Sequence, residues 1–284
     1  MSAEISQTHI VRHVFLRNKI AVVGGGILLG IIVVAVLAPW ISPMDPLEQD
    51  PNLGLKGMNR INLLGADYFG RDVLSRIIWG SRISLIVGIS SVVLGLVWGI
   101  TMGMAAGYFG GKTENVIMRF VDVLMSFPDL IIAVAVMAIL GSNLINLIIT
   151  IGIVMTPKFA RLAHGTVLSV KERDYIIAAH ASGVGVLRIM TRHIFPNIIG
   201  ELLVAGTLWA GAVIRLEANL SFIGLGIPPP TPTWGNMIRE GVDVLSIAPW
   251  ISIFSGLAIL VTILSLNMFG DGVRDIIDPK LRGA

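Results

Sequence analysis

Long apolar stretches alternate with shorter polar ones along most of this 284-residue chain. Each of six stretches is apolar over about 20 residues, the length that an α-helix needs to cross the hydrocarbon core of a bilayer. We therefore predict six transmembrane helices, at 20–38, 83–106, 116–140, 144–165, 198–222 and 249–269. The pattern indicates an all-α membrane protein with one membrane domain at 20–269, an N-terminal segment at 1–19 and a tail at 270–284.

One polar stretch, at 169–197, is too long to be a simple connection between two membrane helices. Ser169 and Glu172 fit a capping box, Asp174 can cap a further turn of helix, and Gly183 can end a helix in the left-handed conformation. These signals predict an ordered helix outside the membrane rather than a linker.

A second helical stretch follows this turn. It starts near Val186 and runs into Pro196, which can stop it. The whole stretch at 169–197 therefore predicts a helix–turn–helix, and an ordered surface of this kind suits contact with a partner.

The distribution of basic residues predicts the orientation. An even number of spans puts both termini and the 169–197 stretch on one side of the membrane, and Lys and Arg are more frequent on that side. Loops rich in Lys and Arg stay in the cytoplasm, so we predict that this side is the cytoplasmic one. Arg71, Arg76 and Arg82 count against this bias, and we place them at the headgroup boundary, on an amphipathic stretch at 70–82.

Composition narrows the class of protein. The chain is 54% hydrophobic and 14% charged, with a mean hydropathy of +0.82, so it leaves no room for a sizeable soluble domain. It has no cysteine, which excludes disulfides and thiol chemistry, and its five histidines lack metal-ligand spacing. The net charge of +3 is explained by membrane orientation rather than nucleic acid. We therefore predict no catalytic, cofactor-binding or metal-binding residue.

The segment AGYFGGKT at 106–113 differs by one residue from the phosphate-binding pattern G-x-x-x-x-G-K-[ST]. A phosphate-binding loop follows a β-strand, whereas this segment follows a predicted membrane helix. We predict a tight cytoplasmic turn here, and any ATP must then be bound by another polypeptide.

Two local features predict helix contacts. Arg119 and Asp122 are one helical turn apart, a spacing at which they can pair. Small residues also recur every fourth position on the second predicted span, which predicts a face where another helix approaches closely. This glycine row consists of Gly95, Gly99, Gly103 and Gly107.

Three charged residues, Asp129, Arg215 and Glu217, fall inside predicted spans, where charges usually face a bundle interior or water. Pro128 can kink the helix beside Asp129. Asp129 either lies on a substrate path or is satisfied by backbone or Arg119, and the sequence leaves both open. Arg215 and Glu217 should point in different directions, and an ion pair with another helix or subunit is favoured over substrate contact.

Several stretches, in order along the chain, resemble the second permease of bacterial dipeptide and oligopeptide ABC importers. YIIAAHASG at 175–183 and RHIFPN at 192–197 resemble the EAA loop of ABC permeases. The peptide branch is indicated by LGAD at 64–67, GRDVLSR at 70–76, EANLSFIGLG at 217–226, PPTPTWG at 229–235, NMFGDGVRD at 267–275 and DPKLR at 278–282.

The resemblance implies a six-helix permease of the type I importer fold in the bacterial inner membrane. It also implies a second homologous permease, two cytoplasmic ATPases that bind ATP and Mg²⁺, an extracytoplasmic solute-binding protein and surrounding lipid as partners. The EAA loop then forms a coupling helix that sits in a groove of an ATPase. The coupling residues that it implies are Asp174, Tyr175, Ala178, Ala179 and Gly183.

The chain departs from the family pattern at Ile177, where the Glu of the EAA motif would stand. Its apolar side chain removes a possible helix cap. The expected function is import of di- or oligopeptides, with nickel, glutathione or an opine as alternative solutes. A stand-alone ion-coupled transporter is the alternative from another class, and it should show repeats and intramembrane acids.

Overall fold

The computed structural model describes residues 18–277, with side chains described to Asp275. Arg12 and Arg17 of the N-terminal segment, which count toward the predicted orientation, lie outside the described residues, as does the family-like segment at 278–282. The predictions that rest on them stay predictions.

Helices make up most of the described chain, and the longest connection runs from residue 42 to residue 72. A 3₁₀ turn at Pro51–Leu53 lies in the first long connection. The helices are α1 Lys19–Ile41, α2 Val73–Phe109, α3 Gly111–Met125, α4 Asp129–Leu140, α5 Leu144–Lys171, α6 Asp174–Ala181, α7 Val186–Phe222, α8 Trp234–Val242 and α9 Trp250–Ile277.

Five described helices, α1, α2, α5, α7 and α9, are long and apolar enough to cross a membrane. The predicted span at 116–140 consists of two helices, α3 and α4, bent by 96°. The expected kink at Pro128 is confirmed, and it is sharp enough to break the helix. The chain breaks at Pro128, which has no N–H for a helical hydrogen bond and adopts a φ of −58° and a ψ of 136°. The model therefore has six spans only if this bent pair counts as one.

The helices α2 and α5 pack along much of their length, and the glycine row forms the contact. A Cβ atom on Gly99 would lie 2.3 Å from the Cβ of Phe159, and one on Gly103 would lie 2.4 Å from the carbonyl oxygen of Ala160. The predicted packing face is confirmed, because any larger residue would push the two backbones apart. Phe159 is fully buried and joins this contact to the main core.

The two ends of the bundle differ. Tyr108, near the last residue of α2, meets α6, and we call this the α6 end. The opposite end, the α8 end, is an ordered layer made by the 42–72 connection, α8 and the first residue of α9. Trp234 is buried there and donates from Nε1 to the carbonyl of Ile77, and Trp250 donates to the carbonyl of Ala66.

Candidate coupling helix and charged sites

The helix α6 follows α5 after only two residues, Glu172 and Arg173. The predicted capping box is wrong, because α5 continues to Lys171 and Ser169 lies in its last turn. Arg173 is the N-cap, and its side chain makes no capping bond. Asp174 is instead the acidic residue of the first turn, where a carboxylate favours the helix dipole.

The predicted end of this helix at Gly183 is confirmed. Gly183 has a φ of +77°, and its N–H donates to the carbonyl of His180 at 3.0 Å. The N–H of Val184 donates to the carbonyl of Ala179 at 3.1 Å. These two bonds form a Schellman motif, so Gly183 fixes the direction in which the chain leaves α6.

One face of α6 is held against the bundle. The side chain of Ile176 is buried in the main core, and Ala179 packs at its edge. The ring of His180 stacks on Tyr108, with 2.9 Å between Nε2 and the phenolic oxygen. Lys171 donates to the carbonyl of Tyr108 at 2.6 Å. The contacts of Ile176 and His180 attach α6 to the bundle at the end of α2, and the Lys171 bond joins the end of α5 to the same place.

The other face of α6 is exposed. Tyr175, Ile177 and Ala178 point away from the core, and Ile177 is 57% exposed. Beyond the turn, Val186 and Leu187 are also exposed. We call these five residues the α6 surface. An apolar surface of this kind suits contact with a protein.

The prediction that Pro196 stops the second helix is wrong, because α7 continues through it to Phe222. The turns before it, Ile189–Ile194, have π-helical hydrogen bonding. Regular α-helical bonding resumes at Phe195, so Pro196 lies in the first turn of that segment, where its missing N–H is tolerated. The 169–197 stretch is therefore a short helix between two long ones.

The intramembrane candidate Asp129 begins α4 and pairs with a residue that the sequence did not single out. Its Oδ2 lies 2.5 Å from Nζ of Lys158, which follows Pro157 in α5. The expected alternative partner Arg119 is not the one used. Asp122 likewise pairs with Arg161 of α5 rather than with Arg119, so the local pairing prediction is wrong.

The two charged residues of the fifth predicted span point in different directions, as expected. Arg215 is exposed, whereas Glu217 is fully buried. Glu217 accepts hydrogen bonds from Ser84 at 3.3 Å and from Ser221 at 2.9 Å. The expected ion pair of Glu217 is replaced by two hydroxyl contacts, which join α2 to α7.

The α8 end holds a charged cluster that sequence reasoning missed. Arg71 and Arg76, which we expected to face headgroups, pair with carboxylates of this chain. Arg71 contacts Asp67 at 2.6 Å and Glu240 at 2.9 Å. Arg76 contacts the same two carboxylates. Arg71, Arg76 and Asp67 are almost completely buried. Asp67 and Arg71 are four residues apart in the sequence, a spacing at which side chains can pair on a helix. No local sequence signal connects them with Glu240.

The turn after α2 agrees with the prediction for 106–113. Gly110 and Gly111 have φ values of +66° and +54°, and α3 begins at once. The preceding element is the helix α2 rather than a strand. Among the described residues, no group of three His, Asp or Glu side chains is placed to hold a metal ion.

Two family models match the chain. One, described as the binding-protein-dependent transport system inner membrane component, matches residues 99–283, and the N-terminal TM domain of oligopeptide transport permease C matches residues 6–57. The chain belongs to the binding-protein-dependent transport permeases. The predicted resemblance is thereby confirmed.

Curated relatives of this permease are similar over nearly their whole length. A di/tripeptide transport permease of Pseudomonas aeruginosa is 42% identical over 95% of this chain and 91% of its own. A dipeptide transport permease of Alkalihalophilus pseudofirmus is 40% identical over 94% and 88%. A glutathione transport permease of Pectobacterium atrosepticum is 41% identical over 94% and 89%.

A solved structure shares the fold of the permease. It is the MetNI methionine ABC transporter in inward-facing conformations, with a TM-score of 0.59 and 18% identity, over 72% of this chain and 97% of that one. The all-α type I importer fold is confirmed. The chain is thus a transmembrane permease of a binding-protein-dependent ABC importer.

Proposed function

We propose that this permease imports di- or oligopeptides and that it docks an ATPase through the α6 surface. The observation that carries the docking proposal is that α6 is rigidly attached on one face and apolar and exposed on the other. A helix held in this way can transmit a displacement of the docked ATPase to α2 and α5 without bending. The substrate proposal is supported by the names of the similar permeases.

The importer consists of this chain, a second homologous permease, two ATPases and an extracytoplasmic solute-binding protein, in the bacterial inner membrane and surrounded by its lipid. Both termini and α6 lie in the cytoplasm. ATP and Mg²⁺ are bound by the ATPases, and this chain carries no nucleotide site. Closure of the ATPases shifts the paired permeases between two states, so this chain moves rather than catalyses.

The coupling residues have different tasks in this proposal. Tyr175 and Ala178 belong to the exposed face, where a small alanine lets the ATPase groove approach. Asp174 begins the helix, Ala179 joins it to the core, and Gly183 sets its end. Ile177 replaces the motif's Glu with an apolar contact to the ATPase.

The three candidates for the translocation path also have different roles in this proposal. Asp129 and Arg215 have exposed charge inside spans, and we assign Asp129 to the substrate path and Arg215 to the contact with the second permease. Glu217 is enclosed within this chain, so we assign it to holding α2 and α7 together.

Docking is tested with Ile177→Asp, because a carboxylate in an apolar groove is desolvated without a partner. We expect the variant permease to lose co-purification with a tagged ATPase in detergent, while its amount in the membrane is unchanged. Leu47→Asp is the matched control, since Leu47 is similarly exposed at the α8 end. Equal ATPase retention by both variants would place the docking surface elsewhere.

The substrate is tested by uptake into proteoliposomes that contain the complete importer. We expect saturable, ATP-dependent uptake of dipeptides in the presence of the cognate binding protein. Glutathione is the second candidate, because one relative is named for it. Uptake of glutathione or Ni²⁺ without dipeptide uptake would overturn the peptide proposal, and uptake by this chain alone under an ion gradient would overturn the importer mechanism.

A further inference from the structure

Three pairs of an acidic and a basic residue connect α3 and α4 to α5. The basic partners recur every third residue on α5, so they lie along one face of that helix. We call the three pairs the charged row. They are Asp129–Lys158, Asp122–Arg161 and Glu114–His164.

The first two pairs of the row are only partly covered by this chain. Lys158 lies about midway along α5. Its side chain is 27% exposed, and that of Asp129 is 44% exposed. Arg161 and Asp122, toward the α6 end, are about half exposed. All four residues lie within predicted spans, where charges seldom face lipid and instead face protein or a water-filled cavity.

The chain also has surfaces that suit lipid, and they are chemically different. Ile139, near the end of α4, is 85% exposed, and Ile131 on the same helix is exposed too. The charged row therefore faces a different environment from this apolar part of α4. A protein partner or an aqueous path along α5 would satisfy this requirement.

We propose that Asp129 and Asp122, with Lys158 and Arg161, form a transient binding site for the charged ends of a zwitterionic peptide. The basic side chains receive the carboxylate of the peptide, and the acidic ones receive its ammonium group. The site rests on the proposed peptide substrate and names the residues that recognise it within the membrane.

The spacing of the row fits such a ligand. Side chains three positions apart on a helix are about 5–6 Å apart at Cβ. Two peptide residues in extended form span about 7 Å. A short peptide can therefore contact both pairs at once, with one end at each.

Partial exposure makes the exchange of partners feasible. An ion pair that water reaches contributes little net stability, because each charge is well solvated when the pair opens. The carboxylate and ammonium groups of a peptide can then replace the internal partners one at a time. The displaced partners stay in contact with water, so the peptide moves between these two pairs without a large barrier.

Accessibility is the first test, and the absence of cysteine from this chain simplifies it. Lys158→Cys and Arg161→Cys are reconstituted separately in the complete importer, with Ile139→Cys as the matched control on the apolar surface. We expect a membrane-impermeant methanethiosulfonate reagent with a trimethylammonium group to label this subunit in the Lys158→Cys and Arg161→Cys variants. The Ile139→Cys variant should not be labelled. Lack of labelling at both 158 and 161 would overturn the site, because charges packed against a neighbouring subunit would be protected.

Function is the second test. The double variant Asp129→Asn/Lys158→Met removes both charges and leaves neither without a partner. We expect ATP hydrolysis stimulated by the loaded binding protein to persist, while uptake of radiolabelled dialanine per ATP falls about tenfold, as for loss of a charge-assisted contact. Glu114→Gln/His164→Gln is the matched control, outside the proposed site, and should retain normal uptake per ATP.

The outcomes separate this proposal from the one on which it rests. Normal dialanine uptake per ATP by the Asp129→Asn/Lys158→Met variant would overturn the site while leaving the peptide substrate intact. Failure of the wild-type importer to take up dialanine would overturn the peptide substrate and the site together.

Discussion

The charged cluster at the α8 end and the charged row beside α5 use the same side-chain chemistry in different surroundings. In the cluster, the side chains of Asp67 and Arg76 are each only 1% exposed. In the row, the side chains of Asp129 and Lys158 are partly exposed. The cluster is enclosed by its own chain, whereas the row is open to a neighbour or to water.

This difference determines what each group of charges can do. A buried pair has lost its hydration, so removing one partner leaves a charge with no alternative. An open pair can exchange its partner for water or for a ligand at little cost. The cluster is therefore suited to holding the 42–72 connection against α8, and the row is suited to transient contacts.

The largest effect is expected for Asp67→Asn. Asp67 contacts both arginines and accepts from the N–H groups of Phe69 and Arg71. Its neutralisation should cost about 3–5 kcal/mol, because two buried guanidinium groups lose the more buried of the two carboxylates that they share. Thermal unfolding of the purified permease in detergent measures this. Asp45→Asn, at an exposed position of the same connection, is the control. Equal melting temperatures would remove the distinction between cluster and row.

A smaller effect is expected for Glu240→Gln. This carboxylate contacts the same two arginines, but its side chain is 25% exposed and Asp67 remains to neutralise them. The loss should be about 1.5–3 kcal/mol, as for a hydrogen bond to a charged group. The same unfolding measurement checks it. A loss larger than that of Asp67→Asn would mean that Glu240 is the centre of the cluster.

Glu217→Gln tests a buried acid that contacts hydroxyl groups rather than a basic side chain among the described residues. Its partners are the hydroxyls of Ser84 and Ser221, which can accept as well as donate, so an amide can keep both contacts. The expected loss in free energy of unfolding is about 1 kcal/mol. Glu217→Leu serves as the comparison, since it leaves both hydroxyls without this partner. Equal losses for the two variants would contradict the hydrogen-bonded role.

The smallest effect is expected for Asp122→Asn. Its side chain and that of Arg161 are half exposed, so the loss should be about 0.5 kcal/mol or less. The difference from wild type should shrink further as salt screens the pair. Melting temperatures at low and high ionic strength check both points. A loss comparable to that of Asp67→Asn would show that the row is structural.

Much of the fold could be predicted because its signals are local. Apolar length predicts the spans, a four-residue repeat of glycine predicts the contact of α2 with α5, and Gly183 predicts the end of α6. The capping box at Ser169 failed as a helix start because α5 continues to Lys171, whose side chain donates to the carbonyl of Tyr108 near the end of α2. Pro196 failed as a terminator because it follows π-helical turns and lies in the first turn of the α-helical segment after them, where no N–H is needed.

The sequence by itself determined the class of protein, its helical composition, the family resemblance and the position of α6. These depend on hydrophobicity, turn residues and motifs, which act within a few residues of one another. Only the tertiary structure decided the partners of the charges. Arg76 meets Glu240 across 164 positions, and Lys158 meets Asp129 across 29. The physical reason is that pairing and burial depend on how distant helices pack, and no local pattern contains that information.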